Sequence, residues 1–525
     1  MSLTRPITRS LTRAITRALT APGAGSSIFD PISLFAANEP GAFYDTNDLS
    51  TMFVDSAGTQ PTPVNGLVGL QFDKSRGLVL GDSGTPTAWT NSVFPFDSVT
   101  PDGDGFIAVK STATRTDVYS TNALRTISVG QVYKVTVKTG ATNSLPVFCR
   151  FTATTNARSA GTAFLGVGAN QTLVAYLVVT AAQSNANIGF TVSSAFTSGI
   201  LHIESVTWEQ LPGLHRYQDT TGFKPVLRGT PTGANLFTAY GTPGSGWVDS
   251  GGGVATATTS SAAIPTTTAA VIGRVYRVRY TATVTSGTVR LTFGGVNGAT
   301  RAASGTYEEY ITATTTAALS FAGVTSFTGT VSAIDARDVS ADAVTAPYGL
   351  QFDGADDFLL TASANFTSTD EVTVCAGIQK LRDSQPAVFA ELSENVGNFP
   401  GSFYIAAPDA IGTPVITFRS KGTLGSTPTT SGTILAPATS LFTGIGKIST
   451  DTEVVRINGA QVGSSSEDQG TGNFGNYPFY FGRRGGTSLP YSGLAYPTLI
   501  IGRLLTTDEL TDLEAYTATG TGVTI

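Results

Sequence analysis

The sequence predicts an all-β protein of tandem antiparallel β-sandwiches behind a basic N-terminal arm, and three observations carry that prediction. Charged residues make up only 13% of the chain, against about 25% in an average globular protein. Thr, Ser, Asn and Gly fill the polar balance, which suits strands and turns and excludes a helical bundle, a coiled coil or a charge-rich disordered chain. Short alternating runs recur between Gly, Asn and Ser turns, as in β-sandwiches. The length of 525 residues is room for three or four domains at roughly 150 residues each. Gly (59) and Pro (25) make up 16% of the chain, short of the roughly 25–30% of a low-complexity protein, so the chain folds.

The first element, residues 1–29, is a basic arm and hinge. A four-residue repeat sets Leu3, Ile7, Leu11, Ile15 and Leu19 between Arg5, Arg9, Arg13 and Arg17, with no acidic residue before Asp30. The formal charge of −6 therefore divides into +4 on the arm and −10 on the remainder, a charge asymmetry that marks an interaction arm. A step of four drifts by about 40° per repeat on a helix, so the aliphatic stripe would spiral round the cylinder. In an extended chain the odd positions share one face, aliphatic alternating with Arg. The repeat thus reads as an extended or partly helical arm that orders on a partner, with a solvated tail as the alternative; a mitochondrial transit peptide has a similar composition, but nothing downstream supports it.

The second element, residues 30–84, is a connector. Phe43-Tyr44-Asp45 through Asp48 to Phe53, then Asp55 to Thr59, and Val68-Gly69-Leu70 with Asp73-Lys74-Ser75 together resemble a leader found in tailed-bacteriophage structural proteins. In that family such a leader commonly precedes adhesion-type sandwiches.

Residues 85–213 and 231–346 read as two copies of one sandwich, similar to carbohydrate-binding modules. Gly130-Gln131-Val132-Tyr133-Lys134-Val135 matches Gly273-Arg274-Val275-Tyr276-Arg277-Val278. Each region opens with a Trp, Trp89 or Trp247, and closes on a Gly-led strand, from Gly199 or Gly329. Two copies are too few for a solenoid, so each must close its own core. Residues 214–230 between them resemble a phage linker that usually runs straight into the last domain, so the second module reads as an insertion ahead of it.

The last element, residues 347–525, opens on Gly349-Leu350-Gln351-Phe352-Asp353, an echo of Gly69-Leu70-Gln71-Phe72-Asp73. Residues 348–361, 371–380, 453–464, 479–484 and 491–516, in that order and spacing, resemble the laminin-G-like, concanavalin-A-type jelly roll. Asn458-Gly459 suits a tight hairpin, and Thr506 with Glu509 forms a capping box, flanked by Leu505 and Leu510, for one short helix.

Few residues offer chemistry. Cys149 and Cys375 lie in separate β contexts and read as buried thiols without metal spacing. His202 and His215 are the sole histidines, which removes multi-His metal sites. A jelly-roll glycosidase needs two carboxylates about 5–9 Å apart, and no strand offers such a pair in alternation. Asp508, Glu509, Asp512 and Glu514 fit helix capping better than catalysis. Asp353, Asp356 and Asp357 would suit Ca²⁺ or simply form a solvated turn; Asp102 and Asp104 are weaker candidates. Residues 470–475 satisfy GxGxxG but precede a strand where a dinucleotide site needs a helix. Trp89, Trp247, Tyr477, Tyr480, Tyr491 and Tyr496 are candidates for stacking on sugars. Core packing is the competing reading, and Tyr480 in particular is expected inside. Arg483 and Arg484 would bind an acidic glycan or solubilise an edge. No individual carbohydrate-binding, catalytic or metal-binding residue is assigned, and no cofactor is expected beyond the structural Ca²⁺ that the aspartate turn leaves open.

The resemblance implies a virion protein, assembled in the host cytoplasm: a fibre, spike or head appendage that is not an enzyme. Leu3, Arg5, Ile7, Arg9, Leu11, Arg13, Ile15 and Arg17 would dock it to other virion proteins, and its sandwiches would meet bacterial surface glycan as a homo-oligomer. A phage depolymerase is the alternative, and a bacterial surface adhesin a third. The acidic remainder argues against nucleic acid, and no apolar run is long enough to insert in a membrane.

Overall fold

Val132–Thr139 buries Val135 and Val137 on one side and turns Lys134 and Lys138 outward, the period of two that pins a half-buried strand. This pattern recurs throughout: in the computed structural model nearly every regular element is an antiparallel strand. Residues 29–81, 83–92, 94–122, 124–153 and 163–525 are described; the arm residues from Leu3 to Arg17 lie outside them. Pro31–Ile525 is one compact unit.

Two sheets form a platform. The first runs Val226–Pro231, Val344–Asp353, Ser492–Ile501, Glu371–Lys380, Ala438–Lys447, Thr452–Ile457, Ala460–Ser465, with Gly41–Tyr44 added alongside Ser492–Ile501. The second runs Met52–Phe53, Leu70–Gln71, Arg216–Tyr217, Leu359–Asn365, Asn476–Phe481, Val388–Leu392, Ser402–Ala406, Thr417–Lys421, Thr429–Thr430. Between them lies a core that includes Phe352, Phe366, Phe389, Phe403, Phe418, Phe442, Phe479 and Phe481. The stretches 30–84 and 214–230 thus supply strands to the same sandwich as residues 347–525. Arg216 shows how deeply they are built in: it lies wholly buried between the rings of Tyr44 and Phe481, 4.4 and 4.9 Å away, and donates to Gln71 Oε1.

Each module is an excursion that leaves and re-enters this platform through a hydrogen-bonded neck. At the first, Gly81 N–H donates to Gln210 O (2.8 Å) and Ser83–Gly84 pairs with Trp208–Glu209. At the second, Val226–Pro231 pairs with Val344–Gln351 and Thr232 N–H donates to Ala343 O (3.0 Å).

The modules share a strand plan. In the first, one layer runs Thr172–Val178, Val132–Thr139, Gly199–Leu211, Gly105–Lys110, Ser98–Asp102. In the second, Gly305–Thr312, the first half of Val275–Phe293, the second half of Ser320–Asp338, Ala255–Ser260 and Trp247–Asp249 follow the same order. The difference lies in continuity. Pairs of strands that are separate in the first module merge in the second into two 19-residue strands. These bend through both layers at register shifts around Arg279–Thr281 and Val284–Thr288, the bending expected of bulges.

The equivalent edge of each module faces the platform. In the first, Tyr176, Val178 and Val132 join Phe53, Leu70, Phe72, Leu211, Tyr217 and Leu360 in an apolar cluster. In the second, Tyr310 is half-buried against Arg228, whose guanidinium lies 4.4 Å from the ring and donates to Gln351 Oε1 and Asn65 Oδ1. One junction is greasy and the other polar.

Helix Thr507–Thr521 closes the platform with both halves of its capping box formed. Arg503 donates twice to Glu509 and, with the cap, pulls its carboxyl down to about 2. Glu514 is buried, accepting from Arg456 and Thr443, so Glu509 and Glu514 fasten the helix while Asp508 and Asp512 stand exposed. At Asn458-Gly459 both residues take positive φ, 48° and 77°, as a two-residue hairpin requires.

Candidate functional site

The polar junction opens into a cleft of about 690 Å³ between the second module and the platform, within the roughly 300–1,000 Å³ range of small-molecule sites. Its first wall is the loop before Gly305–Thr312. Glu309 fastens this loop by accepting from Ala299 N–H (2.7 Å), Arg301 (3.1 Å) and Tyr280 hydroxyl (3.0 Å). The Arg301 guanidinium lies over the Tyr307 ring at 4.4 Å, and the Tyr307 hydroxyl donates to Ala303 O.

The opposite wall comes from the platform: Gln351 to Asp353, Leu381 to Gln385, Leu435, Ala436 and Ser492. Asp383 orders it, accepting from Ala436 N–H (2.8 Å) and pairing with the buried Lys380 (2.5 Å). Arg382 donates to Pro490 O (2.7 Å). Leu435 stands 69% exposed among these walls. Glu308 lines the cleft floor, where burial raises its carboxyl and Arg277 opposes the rise. Acids (Glu308, Asp353, Asp383) and bases (Arg301, Arg382) alternate with hydroxyls (Thr300, Ser304, Thr306, Ser384, Ser492). Mixed charge and abundant donors and acceptors suit a neutral, hydroxyl-rich ligand better than an ion.

Asp353 links the cleft to the aspartate turn. Ligand oxygens of Asp353, Asp356 and Asp357 lie within 4.8 Å of one another, the only group of this kind among the described residues. Asp353 Oδ1 accepts from Ala355 and Asp356 N–H, and Asp357 Oδ2 from Asp353 N–H (2.9 Å). Burial, then the Asp353 charge, pushes the Asp357 carboxyl up to about 8. The turn has the donor set for a hard cation, and it is also closed by its own backbone hydrogen bonds.

The other sequence candidates fall into structural roles. Trp247, Tyr491 and Tyr496 are buried, and Trp89 is half-buried against Phe106 and Phe190 with its indole N–H on Asp104 O. Tyr477 donates to Pro400 O and is half-buried. Tyr480 corrects the expectation of an inward ring. Alternation sends Phe479 and Phe481 into the core and Tyr480 to the opposite face, in register with Leu360 and Glu391. Arg484 pairs with the fully buried Glu391 (2.9 Å), and Arg483 donates to Thr487 O. Residues 470–475 lead into strand Asn476–Phe481, with Phe474 in the core, so this glycine motif has no helix to face. Cys149 and Cys375 are buried and free; burial raises both thiols, Cys375 to about 12.

Both histidines are tied down. His202 Nδ1 receives Thr142 hydroxyl (2.7 Å) and N–H (3.4 Å), so Nε2 carries the proton towards Asp102 Oδ2 at 2.6 Å. The chain of three pins two hairpin turns of the first module together. His215 is buried at the greasy junction, accepting from Asp73 N–H at Nδ1 and donating from Nε2 to Leu211 O. Asp73 in turn accepts from Phe43 N–H (2.8 Å) and Leu214 N–H (2.7 Å). The two Gly-Leu-Gln-Phe-Asp copies therefore end in different tasks, one a strand junction and one a cleft wall.

The cleft escapes sequence reading because its walls come from five separate stretches of chain. Asp353 is the lining residue that the sequence marks as a candidate ligand.

No protein-family model matches the chain, and no curated protein matches it. Solved structures give matches over about a third of its length. A Ruminococcus gnavus IT-sialidase CBM40 bound to α2,3-sialyllactose aligns at 13% identity and TM-score 0.24, covering 32% of this chain and 95% of that one. Domain 4 of the arabinanase AbnA from Geobacillus stearothermophilus aligns at 14% and 0.26, covering 32% and 76%. The binding domain of Paraclostridial Mosquitocidal Protein 1 aligns at 14% and 0.26, covering 32% and 43%.

Proposed function

We propose that this chain is a non-enzymatic attachment protein of a tailed-bacteriophage particle, a fibre, spike or head appendage. It docks to other virion proteins by residues 1–29 and presents its sandwiches, as a homo-oligomer, to bacterial surface glycan. The observation that carries the glycan reading is the cleft between the second module and the platform. Its walls are held by internal hydrogen bonds before any ligand arrives, and its lining offers donors, acceptors and small apolar surfaces at once. Pre-formed, hydroxyl-matching clefts at domain junctions suit weak sugar binding, and many copies on one particle multiply a weak site.

The virion reading rests on the leader-like residues 43–75 and the cationic arm. Deleting residues 1–20 is expected to abolish incorporation into particles while leaving a folded protein. Undiminished incorporation would overturn the docking role.

One observation favours the depolymerase alternative. Asp357, held protonated near neutral pH, stands beside the cleft-lining Asp353, and glycosidases use two neighbouring carboxyls of which one is kept protonated. Against it, Asp357 does not line the cleft and is committed to the turn. Wild-type protein should leave polysaccharide chain length unchanged on incubation; wild-type cleavage that is lost in Asp353→Asn would establish the enzyme reading.

A further inference from the structure

The second platform sheet has an outer face divided in two. One cross-strand row runs Phe53, Leu70, Tyr217, Leu360, Tyr480, Glu391, Tyr404, Arg419. The first four residues belong to the cluster that meets the first module. The polar end of the row, with Tyr404 and Arg419, borders a separate pocket of about 220 Å³, lined also by Asn395, Val396, Asp409 and Arg484.

The charges of this pocket are unevenly satisfied. Glu391 accepts from Arg484 (2.9 Å) and from Val396 N–H, which spends that guanidinium on a buried carboxylate. Asp409 accepts from the Tyr404 hydroxyl (2.9 Å). Lys421 donates to Val396 O and Gly397 O, both at 2.9 Å, and pairs with no carboxylate among the described residues. The Arg419 guanidinium makes no hydrogen bond or ion pair with any described residue, and its Nε is buried without a partner. Glu453 and Glu467 feel its charge without touching it. Gly425 makes room for the group: a Cβ there would stand 2.2 Å from Arg419 Nη2. A half-buried guanidinium whose Nη groups open into a pocket with no carboxylate bonded to them is free to take an anionic acceptor.

We propose that this pocket binds one acidic monosaccharide unit, its carboxylate on Arg419. The pocket is smaller than the roughly 300 Å³ lower limit of drug-sized sites, which fits a single ring. Asn395 and Asp409 offer the ring hydroxyls a donor and an acceptor. The site is separate from the junction cleft, so acidic-sugar recognition here stands or falls independently of neutral-glycan binding there.

The test is isothermal titration of the full chain with D-glucuronate, D-glucose and inorganic sulfate. Saturable glucuronate binding, at least tenfold tighter than glucose or sulfate, is expected. Arg419→Gln should weaken it at least tenfold with an unchanged melting temperature, because this guanidinium holds nothing inside the protein. Gly425→Ala, which displaces the guanidinium without removing it, should weaken it too. Glucose binding as well as glucuronate would overturn the proposal, as would sulfate binding equally well, which would mark a bare anion site. Glucuronate affinity untouched by both variants would also overturn it. Loss of neutral-oligosaccharide binding with glucuronate binding intact would refute the cleft and leave this site standing.

Discussion

Replacing Asp357 by asparagine removes a charge that the fold opposes while keeping an oxygen for the Asp353 N–H. The side chain is 6% exposed, and burial together with Asp353 and Asp356 lifts its carboxyl from 3.8 to about 8. A group whose folded value is raised stabilises the fold fully below its unfolded value and loses that contribution as pH climbs to the folded one. The window is therefore about pH 4 to 8. About four units at roughly 1.36 kcal/mol each give an upper figure of about 6 kcal/mol, an amount worth several degrees in melting temperature even for a large domain. Wild type and Asp357→Asn should melt together near pH 4 and diverge as pH rises, with the variant more stable at pH 8. Thermal unfolding in chelator across that range measures it. A constant offset between the two proteins, or a wild type that gains on the variant with rising pH, would refute the reasoning. Divalent cation bound by the three carboxylates would reverse the sign, because it favours the ionised turn.

Three further outcomes follow from the packing. A Cβ at Gly140 would stand 2.1 Å from His202 Cε1, and the ring is held at both nitrogens. Gly140→Ala should therefore cost about 2 kcal/mol or more in urea unfolding, while Gly222→Ala, with nothing within 4 Å, should be nearly silent. His215 is kept neutral by burial, its value lowered in the fold. Stability is thus present above its unfolded value of about 6.5 and falls as pH drops below it. Hydrogen exchange should show Phe72 to Asp73 and Leu211 to Tyr217 opening first in acid, and uniform opening would contradict this. Thr506→Ala removes the acceptor for Glu509 N–H and should cost about 1 kcal/mol; an unchanged unfolding midpoint would show the cap to be idle.

Local chemistry made much of the fold readable. The capping box at Thr506 and Glu509, the Asn458-Gly459 turn and the alternation of Val132–Thr139 each depend on neighbours in sequence, and each appears as expected. The match between Val132-Tyr133 and Val275-Tyr276 likewise marks equivalent strands of two modules. What escaped was set by long-range pairing. Leu70-Gln71 and Arg216-Tyr217 are two-residue strands with no period to detect, so their place in the platform sheet, and the modules' status as excursions from it, come only from the register. The outward face of Tyr480 is not legible because an aromatic run hides which parity points inward; the neighbours Leu360 and Glu391 decide it. Arg419 alternates with buried Phe418 and Ser420, a pattern that signals an outward guanidinium but not its missing partner.

The most direct measurement mixes the full chain with purified capsule and lipopolysaccharide from a panel of bacteria and follows two signals together, retention of polymer and appearance of new reducing ends. The account predicts saturable retention of at least one polymer at constant chain length. New reducing ends accumulating with time, or no retention of any surface polysaccharide, would contradict it.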